Sequence, residues 1–366
     1  MKKLCLVLAF LLAGTVAAKE IVIGQSTPLS GSNAEIGKDI RNGAMAYFNK
    51  VNAAGGVNGN TIKFVSLDDK NDPKQAAENA RQLVNEQNAL ALFGYASSTL
   101  SIPSMAIVSE KHVPFFAPFT GADAIRKQND YVFTIRATYA DELDKILAYW
   151  TSLGVTRIVV VHFDDEIGKQ NFETVTRYLQ RFDKKPTAVS IKRNVDVPDA
   201  AIESIIKAAP QVIVVTTLYG PTTQIIKKLK AADKSFPMSS LSFVGAAQLA
   251  KAAGKDARGV SVAQVVPLPT SGSVAVVREC RDAWQKADMK EVLTPTSLES
   301  CIAAKVLVEG IRKAGKDPTR DGLKRALEEL GRYDAGGLEI AFSPSSHHGG
   351  KFVDLVVITA NGDLKN

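Results

Sequence analysis

From Glu20 onward, short apolar runs alternate with longer stretches whose apolar positions recur every three or four residues. Residues 21–24, 62–67, 89–93, 114–117 and 131–135 read as strands, being brief, β-branched or aromatic, and bounded by turn residues. Between them, residues 34–52, 73–85 and 98–111 read as helices. In the first of these, Ile36, Ile40, Ala44, Tyr47, Phe48 and Val51 fall mainly on one face, and Pro73 suits the first turn of the second. The pattern then restarts. Helices are expected over 140–153, 167–182, 199–208 and 221–232, with strands over 157–162, 188–191, 211–216, 240–244 and 260–265. After Pro267-Leu268-Pro269 come three helical stretches, 273–287, 297–314 and 320–330, and a β-rich tail from 338 to 358.

Strand–helix–strand alternation implies an α/β architecture with mostly parallel sheets, and two rounds of it imply two α/β units. The late helices need a sheet to cover, so that segment is expected to return to the first unit. At 366 residues, two domains are the natural expectation.

The first eighteen residues stand apart from this pattern. Lys2 and Lys3 precede an unbroken apolar run from Leu4 to Ala13, and Val16-Ala17-Ala18 supplies small residues before Lys19. That is the layout of a secretory signal peptide cleaved near Ala18, the run being too short for a permanent anchor. No later apolar stretch is long enough to span a bilayer, so the mature chain is expected in the periplasm.

Cleavage would also remove Cys5 and leave Cys280 and Cys301, both in helical stretches joined by a short connection. In an oxidising compartment the two either form a disulfide or remain as two buried thiols.

Composition narrows the function. The chain is 45% hydrophobic and 23% charged, with 45 Lys and Arg against 38 Asp and Glu for a formal charge of +7. The basic residues are scattered among acids, without the clustered stripe that marks a nucleic-acid surface. Four histidines include the pair His347-His348 in a Ser/Gly-rich turn, read as solvated, with no third ligand at zinc spacing. No phosphate loop, nucleophile elbow or H-E-x-x-H is present. Gly55-Gly56-Val57-Asn58-Gly59 follows a helix, which is wrong for a dinucleotide fingerprint. Asp68-Asp69 and Asp164-Asp165 stand at strand ends, where acidic pairs commonly form turns and helix starts. No constellation argues for catalysis, and no cofactor or metal is expected.

Two strand-to-helix turns do carry chemistry. Gly94-Tyr95-Ala96 leads into Ser97, Ser98 and Thr99, which open a helix with free N–H groups and hydroxyls beside them. Pro118-Phe119-Thr120-Gly121 adds a hydroxyl, an aromatic wall and a glycine permitting close backbone approach. Both turns belong at the carboxyl edge of a parallel sheet, where open α/β folds bind ligands. The alternative for Ser97 and Ser98 is plain helix capping.

These turns accompany a family resemblance. Gln25-Ser26-Thr27-Pro28-Leu29-Ser30-Gly31 followed by Gly37 resembles the opening of the leucine/isoleucine/valine-type solute-binding proteins of ABC importers. Asn52-Ala53-Ala54-Gly55-Gly56-Val57-Asn58-Gly59, Asp68-Asp69, Asn71-Asp72-Pro73 and Tyr131-Val132-Phe133-Thr134-Ile135-Arg136 are similar to the same family. The resemblance covers the whole mature chain. It implies a type I periplasmic binding fold: two doubly wound parallel-sheet lobes joined by three crossover strands, with ligand in the interlobe cleft. Residues 1–18 would be the signal peptide, 19–139 with 268–340 lobe one, and 140–267 with 341–366 lobe two.

The resemblance also implies a site. Ser98 falls at the serine that holds the ligand carboxylate. Phe119, Thr120 and Gly121 fall on the turn that binds the ligand's polar head, Ile36 at a pocket-lining position, and Asp141 at an acidic position near the hinge. In lobe two, Ile167 replaces a family tyrosine and Tyr219 lies in the aromatic segment that closes over ligand. Tyr95, Ser97, Tyr139 and Phe243 complete the candidate set. Ser97 also takes the place of a cysteine bridged in some relatives, so a Cys280–Cys301 bridge would be a different one.

The main departure is Ser242, aligned with a glutamate that pairs with the ligand's ammonium in amino-acid binders. Either Asp141 compensates, or the ligand is a carboxylate without an α-amino group. The expected function is a monomeric, non-catalytic binding protein that captures an amino acid or related small carboxylate and delivers it to an ABC importer's membrane permease. The alternative is an exported sensor feeding a receptor or kinase.

Overall fold

The computed structural model describes residues 19–31, 33–127 and 129–366; the expected signal peptide lies outside them. Among the described residues no helix is long and apolar enough to cross a membrane.

The first sheet is built from β1 (Glu20–Thr27), β2 (Thr61–Asp68), β3 (Ala91–Phe93), β4 (Phe115–Phe116) and β5 (Val132–Phe133), in the order β2-β1-β3-β4-β5 and wholly parallel. The second contains β6 (Ile158–Phe163), β7 (Thr187–Ile191), β8 (Val212–Thr216), β9 (Met238–Ser240) and β10 (Ser261–Gln264). A two-stranded ribbon, β11 (Arg332–Asp334) and β12 (Glu339–Ala341), precedes β13 (Asp354–Ile358) and β14 (Leu364–Lys365), which return to the second sheet. Its order is β14-β13-β10-β9-β8-β6-β7, parallel except where β13 and β14 pair antiparallel at one edge.

Both sheets are covered by helices on both faces, which is why their central strands are apolar without alternation. All six residues of β6 are buried, with Val160 registered against Val214 and Val161 against Val189. On one face of the first sheet, Phe48, Phe93, Phe116 and Phe133 pack with Val276, Leu298, Ile302 and Leu323 from the three late helices, Ala275–Lys286, Pro295–Lys313 and Arg320–Glu328. The late segment thus returns to the first sheet, and Cys280 and Cys301 join two of its helices in a disulfide.

Helix Ala34–Ala53 crosses helix Pro295–Lys313 at Gly43, where a Cβ would stand 2.0 Å from the carbonyl oxygen of Ser297. Gly43→Ala is expected to push these helices apart and cost about 1–3 kcal/mol, read from the urea midpoint.

Some local expectations differ from the structure. The stretch 98–111 is not one helix. It runs as Ser98–Ser101, a 3-10 turn Ile102–Ser104 and Met105–Glu110. Pro103 has no N–H to donate and crowds the carbonyl four residues before it. Residues 240–244 end β9 and turn into a 3-10 segment closed by Gly245 at φ 75°. His347 and His348 are not solvated. His347 stacks on Phe133 at 4.1 Å and its Nε2 lies 2.9 Å from Glu328, while His348 lies between Thr134 and the Arg126 carbonyl. Together with Phe342 in the first core, these contacts keep the chain on the first lobe beyond residue 340.

Candidate functional site

In each sheet the strand order reverses beside a pair of neighbours, β1/β3 in the first and β6/β8 in the second. Loops leaving the carboxyl ends of such strands diverge and open a crevice. The two crevices face each other. Ser97 and Ser98 follow β3, and Phe119 follows β4. Across from them stand Phe163 at the end of β6, Arg193 after β7, Leu218 after β8 and Phe243 after β9, all lining one interlobe cavity of about 20 Å3. A wider cavity of about 770 Å3 adjoins it, sharing Ser97, Thr99, Phe163, Arg193 and Leu218 and reaching Ile36 and Asn71.

The lobe-one wall carries a chain of hydroxyls. Ser98 Oγ lies 2.6 Å from Thr120 Oγ1, which lies 3.1 Å from the Tyr139 hydroxyl and accepts the Ala122 N–H at 3.1 Å. All three side chains are buried. Burial raises the Tyr139 phenol above its ordinary pKa, so it remains a donor. Three hydroxyl hydrogens serve two links, which leaves one to donate outward. With Tyr139 donating to Thr120 and Thr120 to Ser98, that hydrogen belongs to Ser98; with the chain reversed it belongs to Tyr139, and both side chains line the cavity. Ser97 acts differently, its Oγ capping the helix start by accepting the Leu100 N–H at 3.3 Å.

Of the other candidates, Ile36 packs with Phe119, Leu100 and Ala96, with Leu218, Tyr219 and Phe243 of lobe two laid against them. Ile167 lines the inner cavity, and Phe243 lies 5.0 Å from the Tyr139 ring. Gly121 sits behind the wall, accepting the Tyr139 N–H at 3.0 Å, and a Cβ there would meet the Tyr139 ring at 2.6 Å.

Two candidates are corrected. Tyr95 does not reach the cleft. Its ring is wholly buried on the far side of the first sheet, edge-on to Phe115 at 4.8 Å. Asp141 is exposed and serves as a capping-box partner, accepting from the Thr138 N–H at 2.9 Å and hydroxyl at 2.7 Å. It therefore offers a ligand ammonium no counter-charge.

The buried acid is its neighbour, Glu142, which accepts from the Ser242 N–H at 2.6 Å and the Ser242 hydroxyl at 2.9 Å. Ser242 in turn accepts from Arg136 Nη2 at 2.6 Å. Arg136 lies 3.2 Å from Glu299 through Nε and under the Phe119 ring at 4.3 Å. One cation and two carboxylates thus meet where the lobes join, and Ser242 belongs to that cluster. Burial raises Glu142 above the ordinary carboxylate range and Glu299 to about 7, with Arg136 opposing both. Nothing in the sequence singled out this cluster, whose members lie far apart along the chain. Nearer the rim, Asp39 of lobe one accepts from Gln248 of lobe two at 2.7 Å, and burial raises its carboxyl to about 6.

Arg193 is a further residue absent from the candidates. Its Nε donates to Asp165 at 2.5 Å and its guanidinium lies 3.8 Å over the Phe163 ring. Asp165 also caps helix Glu166–Leu179 through the Gly168 N–H at 2.8 Å, the turn role expected of the Asp164-Asp165 pair.

A sequence model of the periplasmic binding protein family matches residues 20–363. The chain belongs to that family. A Leu/Ile/Val-binding protein homolog from Brucella melitensis is 24% identical over 339 residues, covering 90% of this chain and 87% of the relative. An amino acid binding protein from Pseudomonas aeruginosa is 38% identical over 104 residues, 28% of either chain. Among solved structures, a substrate-binding periplasmic protein from Ralstonia solanacearum is 34% identical at TM-score 0.89, over 94% of this chain and 99% of that one. A structure from Rhodopirellula baltica, described as a possible leucine/isoleucine/valine-binding protein, is 28% identical at TM-score 0.91, over 97% and 98%. The fold is the type I periplasmic binding fold, and the resemblance to the leucine/isoleucine/valine-type proteins holds. Members of this family bind solutes and are not enzymes.

Proposed function

We propose that this chain is the exported, periplasmic solute-binding component of an ABC importer. It captures a small carboxylate lacking an α-amino group between two closing lobes and presents it to a membrane permease as a monomer. The observation that carries this reading is the Ser98–Thr120–Tyr139 hydroxyl chain at the wall of an inner interlobe cavity lined by no carboxylate, Asp196 lying only in the lining of the wider cavity beside it. A hydroxyl chain with one outward hydrogen suits an acid group. An ammonium in the same cavity would be left without a counter-charge, because Asp141 is turned to solvent and Glu142 is committed to Ser242. Relatives named for leucine, isoleucine and valine take ligands that share the carboxylate, which supports the acid half of the assignment. Ile36, Phe119, Ile167, Tyr219 and Phe243 would form the apolar jaws.

The reading includes a leader removed near Ala18. Lobe one would comprise residues 19–139 with 268–349, and lobe two 140–267 with 350–366.

A thermal-shift screen of amino acids, aliphatic and aromatic acids and dicarboxylates identifies the ligand class, since a solute that binds only the folded chain raises its midpoint. Ser98→Ala is then expected to raise the Kd of the best acid roughly ten- to hundredfold, the loss of one charge-assisted hydrogen bond of about 1.5–3 kcal/mol. An unchanged Kd by calorimetry would remove Ser98 from the site.

A further inference from the structure

Resting on the carboxylate reading above, we infer that Arg193 is the anion-binding residue of lobe two. It takes the second oxygen of the acid group that Ser98 holds and selects deaminated acids over amino acids. Ser98 and Arg193 come from opposite lobes yet line the same cavity of about 20 Å3. That space admits about one water-sized group, so an acid oxygen would take that place between the lobes, with the rest of the ligand in the adjoining cavity of about 770 Å3, which Arg193 also lines. Arg193 is the charged residue of the inner lining, and the remainder is apolar or hydroxyl- and amide-bearing.

Its side chain is pre-positioned. Asp165 holds the Nε edge and is itself fixed as a helix cap, while Phe163 supports the face of the guanidinium. Among the described residues, neither terminal nitrogen of Arg193 donates a hydrogen bond. A planar fork held by one edge and one face, with its other donors open, is suited to a carboxylate oxygen.

Selectivity follows from the same geometry. In an α-amino acid the ammonium stands on the carbon next to the carboxylate, so a carboxylate gripped by Arg193 brings that ammonium close to a guanidinium. Like charges repel there; no acid lines the inner cavity, Asp165 is already engaged at Nε, and Asp196 lines only the wider cavity. Replacing the amine by hydrogen or a keto oxygen removes the conflict.

The test uses the mature protein and probes that share one side chain: leucine, 4-methyl-2-oxopentanoate and 4-methylpentanoate, with benzoate and glutarate as acids of other shape. Calorimetry on the wild type is expected to show at least one acid binding roughly tenfold or more tighter than leucine. Arg193→Gln should weaken that acid by roughly tenfold or more and shrink the acid-to-leucine ratio, and Arg193→Lys should restore part of it. Urea midpoints of both variants within experimental scatter of the wild type exclude misfolding as the cause.

If an acid binds the wild type and Arg193→Gln leaves its Kd within about twofold, the assignment of Arg193 fails while the carboxylate reading survives. If leucine binds as tightly as its deaminated analogues, the selectivity argument fails and so does the ligand class proposed above. If no acid binds, the carboxylate reading falls and takes Arg193 with it.

Discussion

Arg136→Met is expected to remove about 3–5 kcal/mol of folding stability at pH 8 and clearly less at pH 5. Arg136 is 1% exposed, and the two carboxylates it faces, Glu142 and Glu299, are also buried. Deleting the cation leaves two acids in the interior, Glu142 with the bonds from Ser242 and Glu299 without the ion pair that faced it. The sign of the pH effect follows from Glu299, whose carboxyl rises from 4.5 unfolded to about 7 folded because burial outweighs the help of Arg136. A group with a raised folded value contributes its stability below the unfolded value and loses it as pH climbs through the folded one. The wild type should therefore weaken between about pH 4.5 and 7 from this source. The variant, without the opposing cation, should weaken more steeply and further up the scale. At pH 5 Glu299 is largely neutral in either protein, so the difference between the two narrows.

The triple change Arg136→Met, Glu142→Gln, Glu299→Gln tests the cause. The carboxamide introduced at position 142 can still accept the Ser242 N–H through its oxygen, and its NH2 can donate to the Ser242 hydroxyl that has lost Arg136. Most of the deficit should return, because a buried charge cluster replaced as a whole is often neutral. Urea unfolding of the three proteins at both pH values decides it. A triple variant as unstable as the single one would show that Arg136 acts by packing under Phe119 and not by its charge.

What was legible in the sequence divides along physical lines. Strands buried on both faces announce themselves as apolar runs, so the strand expected over 157–162 is found at Ile158–Phe163. Ser98 and Thr120 were legible as candidates because both follow strands at the sheet's carboxyl edge, although a hydroxyl there can equally be a helix cap, as Ser97 is. The charged residues of the site were not. Glu142 sits one place after Asp141 on an amphipathic helix, and periodicity does not say which of two adjacent acids turns inward. The structure buries the second and spends the first on a cap. Arg193 lies in the polar run Lys192-Arg193-Asn194, which reads as exposed loop until the opposite lobe is placed beside it. Tyr95 shares the turn that leads to Ser97 and Ser98, but its ring folds back beneath the sheet onto Phe115. Local pattern locates elements; which side chains meet across a hinge depends on contacts made between residues a hundred or more positions apart.

Reduction of the Cys280–Cys301 bridge is expected to lower stability by about 3 kcal/mol while leaving ligand affinity nearly intact. The cysteines are 21 residues apart, and closing a loop of that length restricts the denatured chain by an amount of that order. Both are fully buried between helices Ala275–Lys286 and Pro295–Lys313, so reductant must act through unfolding, and the comparison is made after unfolding and refolding with and without dithiothreitol. Affinity offers the sharper reading. Glu299 stands two places before Cys301 on the same helix, so any loosening of that helix would reach the hinge cluster directly. Leu298 and Ile302 flank this stretch and are anchored in the first core, which should hold the helix in register without the bridge. The Kd of the best acid is accordingly expected to change by less than about twofold. A loss of stability below about 1 kcal/mol would mean that the reduced denatured chain is already restricted near these helices. A large loss of affinity would mean instead that the bridge, and not core packing, holds Glu299 against Arg136.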